Sequence, residues 1–409
     1  MKKYNLVVVG GGIAGVAAAV RAAREGLSVL LVEKFGSLGG AMSNSLVYPF
    51  MKFAMNGGSV LLSDGLFTEM RERKAAFNDT SWESYKFVFD DMVMEAGVDV
   101  LFHASVFEVF CEKRTIKSAS IATKAGVMKV EADFFVDCSG DGELIAMAGC
   151  EYQLGRESDG YCQPMTTCFR VSGVDVELFD QDRDMLQQKY KEYQAENKIT
   201  NPRENILVFK GLGEGILHFN TTRVIKHNPV DPVEVSKAEI LARKQVYEMF
   251  CFLKENSKAF ENSSIISIAN HIGVRESRKL RGEHILTAEE LKNCVQFEDV
   301  IAYGNYAIDI HNPIGTGTVL YRFKPEEYYQ IPYRSLLPKE YDNMLAAGRC
   351  LSATHEAHSA VRIMPICACM GEAAGLACAV AYHTGANTHT VDIKIVQEKL
   401  REKEAYQSL

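Results

Sequence analysis

Leu6-Val7-Val8-Val9-Gly10-Gly11-Gly12-Ile13-Ala14-Gly15 is the stretch whose reading decides the fold. Four consecutive apolar, mostly β-branched residues suit a parallel strand buried on both faces. Gly10, Gly12 and Gly15 then complete a GxGxxG pattern, and the alanine-rich run from Val16 to Glu25 reads as a helix. Ser28 to Val32 forms a second buried strand, closed by Glu33. The glycines divide the work: Gly10 permits a tight turn, Gly12 lets backbone approach a pyrophosphate, and Gly15 lets helix and strand pack closely. Gly11, Ile13 and Ala14 complete the loop, and the helix start offers free N–H groups and about half a positive charge to phosphates. Glu33, eighteen residues beyond Gly15, stands where a carboxylate accepts from ribose hydroxyls and repels a 2′-phosphate. The cofactor is FAD or NAD rather than NADP.

The rest of the composition narrows the class without naming a chemistry. At 409 residues the chain has length for two or three domains. With 45 basic against 53 acidic residues the net charge is -8, which disfavours a phosphate-tracking nucleic-acid protein, since such proteins usually carry a basic face. Eleven cysteines include no CxxC, and the closest pair is Cys367 and Cys369. Zinc ribbons and thioredoxin-type pairs are therefore unsupported, and the thiols fit a reducing cytoplasm. Lys2-Lys3 ahead of an apolar run imitates a signal peptide, but three glycines interrupt it. Arg21 and Arg24 follow without a cleavage site. The apolar tract after Pro365 carries Glu372, so neither a targeting segment nor a membrane span is expected.

Outward from the first motif, apolar residues from Trp82 to Glu95 recur at helical spacing, with Phe87 and Phe89 read as core. Three or four strands follow between Val98 and Val136, with a hairpin turn at Lys124-Ala125-Gly126. Helices are expected over Leu178–Glu196 and Ser236–Glu255, and strands around Ile206–Phe209 and Ile216–Phe219. Asn228–Pro232 reads as a loop, because each proline biases its predecessor out of the helical region. Gly211, Gly213 and Gly215 have the wrong spacing for a second nucleotide motif and read as a hairpin turn. Met344–Ala347 is a strand ending in Gly348-Arg349, and a helix begins near Pro365.

Four segments carry a resemblance. Glu33-Lys34-Phe35-Gly36-Ser37-Leu38-Gly39-Gly40, the strand region around Val106, Asp137-Cys138-Ser139-Gly140-Asp141, and Ala346-Ala347-Gly348-Arg349 resemble the FAD contacts of the glutathione-reductase superfamily. That superfamily often has an acid where Arg349 stands. Ile331–Pro338, Ala347–His358, Val361–Pro365 and Gly273–Arg278 look like one family within it. This is the FAD-dependent oxidoreductase family common in bacteria, distantly related to succinate dehydrogenase and fumarate reductase flavoproteins.

The resemblance implies an α/β fold: a Rossmann-like FAD-binding domain with a parallel sheet and β-meander, from residues 1–150 and 331–409. Residues 151–330 would form an inserted α+β substrate cap. It also implies FAD contacts at Lys34, Gly39, Gly40, Ala41, Val106, Gly140, Asp141, Gly348 and Arg349, and at the helix start through Pro365 and Ala368. No cysteine pair follows Gly40, as disulfide reductases of the superfamily require, and no histidine lies there for covalent attachment. The flavin is expected to be non-covalent.

Gly371 and Gly375 make a small-residue stripe that admits another backbone. His355, His358 and Arg362 lie just ahead of this helix. Flavin hydride chemistry needs a side chain to handle a proton, a task suited to histidine, while arginine anchors carboxylates by paired hydrogen bonds. Both histidines also fit a buried structural role, and HxxH lacks metal-site spacing, so no metal is expected. His271, Arg275 and Arg278 share one face if their stretch is helical, either as a clamp for an anion or as a solvated basic face. The expected activity is hydride transfer between FAD and a small polar, in one reading anionic, organic substrate, with an unidentified electron donor or acceptor. A monooxygenase- or halogenase-like enzyme, or a protein whose FAD is structural, is the alternative. Oligomeric state is not legible.

Overall fold

The computed structural model describes residues 2–402. Strand Lys2–Val9 lies inside a seven-stranded sheet. It runs parallel to Val29–Val32 on one side and to Gly126–Asp137 on the other, and Asp99–Leu101 extends the sheet beyond Val29–Val32. The long Gly126–Asp137 strand has two partners along its length. Its first half pairs antiparallel with Thr115–Thr123, which pairs with Ser105–Glu112, while its last three residues pair parallel with Met344–Ala346. This is the expected parallel sheet with a meander, and the turn falls at residues 124–125 as read. The register sets Val9 opposite both Val32 and Asp137, and Asp137 opposite Ala346. Four parallel strands therefore end together, and open α/β sheets hold their ligands at such carboxyl ends.

Two helices cover one face. Ile13–Arg24 and Met364–Thr384 pack so closely that a Cβ on Gly371 would lie 2.0 Å from the Ala14 carbonyl oxygen. One on Gly375 would lie 2.1 Å from that of Ala18. The small-residue stripe is thus a backbone-to-backbone contact. Among the described residues one helix, Met364–Thr384, is long and apolar enough to cross a membrane, and 89% of its most apolar window is buried in the fold. Its one acid is built into the packing: Glu372 accepts from the Leu66 N–H at 2.9 Å and sits 3.4 Å from Arg21.

The middle of the chain builds its own layer. Val208–Phe209, Leu217–Phe219, Phe169–Ser172 and Ser264–Ile268 form an antiparallel sheet. Helices Val176–Ala195 and Pro232–Asn256 accompany it, with Phe169, Phe219, Phe252 and Phe260 in one apolar cluster. The glycines at 211, 213 and 215 join its first two strands, as a hairpin turn should. The Asn228–Pro232 loop delivers Asp231, whose carboxylate caps Pro232–Asn256 by accepting from Val233 and Glu234. Beyond this layer, Leu286, Ile301, Ile308, Phe323 and Tyr329 join the large core of the seven-stranded sheet.

Two local expectations fail. Residues 271–278 are extended, not helical: Gly273 exchanges backbone hydrogen bonds with Thr166 (2.7 and 3.0 Å), and Arg278 opens the strand Arg278–Leu280. Phe87 is not core but 59% exposed, because Tyr85–Glu95 buries Tyr85, Val88, Phe89 and Met92 on its other side.

Candidate active site

The strand ends open onto a cavity of about 360 Å³. Its nucleotide end is made largely of backbone. Gly12 precedes the Ile13–Arg24 helix in extended conformation with no side-chain cap, so the first N–H groups of that helix are left for a ligand. Gly10 has φ +99°, and a Cβ there would sit 2.6 Å from the Cys138 carbonyl oxygen; a Cβ on Gly15 would sit 1.8 Å from that of Gly10. Gly12 differs. The nearest atom to a Cβ there is 3.9 Å away, on Gly40, so a side chain would fill the cavity itself. Glu33 is held by N–H groups of Gly11 (2.6 Å) and Phe35 (2.8 Å), and burial raises its pKa. Gly11 is therefore the residue that orients the acid rather than part of the wall.

Acids and bases are matched along the adjacent wall. Asp137 accepts from Ser139 and Ile145 and so shapes the Ser139-Gly140-Asp141 turn. Asp141 accepts from Arg349 at 2.7 Å and from Ser277 at 2.8 Å. Burial opposes its ionisation, yet Arg349 and Lys34 hold its carboxyl down at about 2. Arg349, the departure from the superfamily's usual acid, is thus one half of an ion pair whose acid comes from residue 141. Gly39, Gly40, Ala41, Val106, Gly140 and Gly348 line the cavity too, as do Ile13 and Ala14. Pro365 and Ala368 do not; Ile363, Met364 and Cys367 of the same helix start do. That helix also begins without a side-chain cap.

The far end is built from side chains that the chain brings from distant places. Arg203, Arg275 and Arg362 line it, with Tyr306, Asp309 and His311. Arg275 donates to the Pro164 carbonyl at 2.6 Å and to Thr166. Burial, with Arg203 and Arg362 close by, brings its pKa to about 9. The Arg362 Nε is buried without a hydrogen-bond partner among the described residues. Tyr306 donates to Asp309 at 3.0 Å, and burial raises its hydroxyl to about 12. His311 Nδ1 faces Arg223 at 3.3 Å, and a guanidinium can only donate. The imidazole proton therefore lies on Nε2, which faces Asp309 at 3.4 Å. Burial and Arg275 lower the His311 pKa to about 4, so it is neutral near pH 7.

Three residues read as catalytic lie outside this wall. His358 is fully buried, its Nε2 at 2.7 Å from the Arg349 carbonyl, where it supports the Gly348-Arg349 turn. His355 Nδ1 lies 2.7 Å from Glu276, itself fully buried and paired with Lys279. Arg278 turns to the Asp141 carbonyl and the Tyr152 ring. Arg275 and Arg362 do reach the cavity. The residues that sequence reasoning missed include Asp309 and His311, which alternate with Ile308 and Ile310 and so share one strand face, a readable period-two signal. Arg203 follows a proline in an unstructured stretch and carries no such signal.

A dinucleotide with a flavin at one end matches these donors: uncapped helix starts for phosphates, an acid for ribose, and glycines where a ring or phosphate must approach backbone. The model of the family described as FAD dependent oxidoreductase matches residues 5–400. The chain belongs to that family. It is an enzyme family of oxidoreductases, and FAD is its cofactor. This FAD dependent oxidoreductase is 26% identical over 198 residues to digeranylgeranylglycerophospholipid reductase 1 of Methanococcoides burtonii. That match covers 43% of this chain and 46% of the relative. It is 28% identical over 200 residues to reductase 2 of the same description from Methanothermobacter thermautotrophicus, covering 43% and 48%. The chain thus spans about half the length of these curated relatives. Among solved structures, a geranylgeranyl bacteriochlorophyll reductase-like protein of Thermoplasma acidophilum is 14% identical with TM-score 0.47, covering 98% of this chain and 84% of that one. The flavin-dependent brominase Bmp2 is 14% identical with TM-score 0.47, covering 98% and 83%.

Proposed function

We propose that this flavoprotein transfers a hydride between non-covalently bound FAD and a small polar organic anion. The observation that carries the reading is one cavity with two unlike ends: dinucleotide-fitting backbone at one, three guanidiniums at the other. The two-part organisation belongs to the same reading, with residues 1–150 and 331–409 holding FAD and the inserted section capping it. Leu286, Ile301, Ile308, Phe323 and Tyr329, although within the inserted section so drawn, pack into the core of the seven-stranded sheet.

Bound FAD would supply the two-electron exchange. Every other task falls to the chain. Gly10, Gly12 and the start of the Ile13–Arg24 helix would hold its phosphates, and Glu33 its ribose. Arg275 and Arg362 anchor the substrate anion, since guanidinium pairs with carboxylate through two parallel bonds. Tyr306 and His311, both neutral and both bonded toward Asp309, are placed to pass a proton at the substrate. His355 and His358 act only by supporting the wall.

The test is an absorption spectrum of the purified protein before and after acid precipitation, then anaerobic bleaching by candidate acids. Flavin bands that move to the supernatant and bleach with an organic acid are expected. Bands absent even after FAD is added back would overturn the reading. A reduced flavin that hydroxylates or halogenates its substrate in the presence of oxygen would replace hydride transfer by the monooxygenase or halogenase alternative.

A further inference from the structure

A second, more open chamber of about 750 Å³ lies against the arginine end of the cavity. The two share Arg203, Tyr306, Asp309 and His311, so those four side chains form a common wall. The outer chamber is otherwise polar: Gln187, Lys191, Glu204, Asn205, Thr318 and Arg322 line it, and Leu320 is its one large aliphatic side chain. Charge at the junction is out of balance. Arg203, Arg223, Arg275 and Arg362 meet there, facing the acids Glu204, Asp309 and, from behind Arg362, Glu276. Glu204 is committed to Arg223 at 3.0 Å and to the Gly317 N–H.

Arg203 is 7% exposed. Its Nε donates to Asn205 at 3.2 Å, while its two terminal nitrogens bond no protein acceptor among the described residues. Burial, with Arg223 next to it, weakens its hold on its proton. Glu204 and Asp309 act on Arg203 only from a distance, and a buried guanidinium whose terminal donors are unpaired is costly unless a ligand supplies the acceptor.

Resting on the hydride-transfer reading above, we propose that Arg203 is an anion-binding gate. A water-soluble carboxylic acid enters by the outer chamber, exchanges its hydration for the Arg203 fork, and passes inward to Arg275 and Arg362. The class of substrate is thereby a hydrophilic carboxylate. An isoprenoid chain would set apolar surface against Lys191, Gln187 and Arg322 and leave their polar groups desolvated.

The experiment uses full-length protein loaded with FAD, with flavin content read first by absorbance. Malonate is then titrated against the flavin spectrum and by calorimetry, beside malonamide, inorganic phosphate and farnesol. Malonate should saturate, and malonamide, alike in shape without charge, should bind at least tenfold more weakly. Arg203→Gln should raise the malonate dissociation constant about 10–100-fold, the range for a charged hydrogen-bonding partner, and Arg203→Lys should restore part of it. Arg322→Gln, at the outer chamber, should raise it about twofold. Equal binding of malonate and malonamide would overturn the proposal even if Arg203→Gln failed to fold. So would tighter binding of phosphate, competition by farnesol, or an Arg203→Gln protein with unchanged malonate affinity. Failure to load FAD would instead sink the parent reading, so the two failures are distinguishable.

Discussion

The two ends of the cavity follow opposite rules of construction. At the nucleotide end, recognition is backbone: two uncapped helix starts, glycines at positive φ or under tight contact, and carboxylates already paired with Arg349 and Lys34. At the arginine end it is side chain, drawn from residues 203, 275, 306–311 and 362, and cationic groups outnumber their acids. The first end tolerates little change in shape and is nearly complete as it stands. The second tolerates shape changes better, but its charge is completed only by a ligand. Shape is thus the sensitive quantity at one end and charge at the other.

The sharpest way to break this contrast is within the glycine loop. Gly15→Ala would place a methyl 1.8 Å from the Gly10 carbonyl oxygen, so strand and helix must separate. The expected cost is at the upper end of overpacking effects, about 3 kcal/mol or more, read as a loss of soluble folded protein or a large fall in Tm. Gly12→Ala has open space around its new methyl. It should leave the Tm of the FAD-free protein within a few degrees while weakening FAD binding roughly tenfold or more. Equal stability losses in the two variants would mean the loop discriminates nothing by position.

At the other end, Arg362→Gln and Arg275→Gln keep size and remove charge. Each should lower kcat/KM, or the affinity for a bleaching acid, by roughly 10–100-fold, with FAD content unchanged. Loss of FAD in either variant would erase the distinction between the ends. The double variant should be less than additive, because both groups address one anion.

The same division explains what could be read from sequence. The Leu6–Gly15 motif and Glu33 are local, and their backbone consequences follow from spacing alone, so strand, turn, helix and acid all stand where expected. Within the His355–Arg362 segment Arg362 lines the cavity, while both histidines sit on a helix, His355–Val361, that is buried almost throughout. Residue type suggests chemistry, while packing engages the rings with Glu276 and the Arg349 carbonyl, outside the cavity lining. Arg203 and Arg223 were invisible as a pair with Arg275 and Arg362, since only the tertiary fold brings these stretches together. Asp309 and His311 had a signal in their alternation with isoleucines. Nothing in that alternation said which face would meet the cavity.

His355 provides the gentlest test, because it separates support from catalysis. His355→Gln should leave kcat/KM within about twofold, since the ring lies outside the cavity wall. It should lower stability by about 1–3 kcal/mol near pH 7, the cost of removing a partner from a buried carboxylate. Burial works against ionisation of Glu276, but His355 and Lys279 hold its carboxyl at about 2, below the ordinary 4.5. A carboxyl depressed in the folded state adds stability that is complete above pH 4.5 and is lost as pH falls toward 2. Without His355 the folded carboxyl titrates higher, so the variant has less of this stability to lose. The difference in unfolding free energy between the two proteins should therefore be largest near neutral pH and shrink steadily between pH 4.5 and 2. Urea melts across that range would measure it. A gap that widened on acidification, or a turnover loss as large as that of Arg362→Gln, would return His355 to the reaction and dissolve the distinction between wall and support.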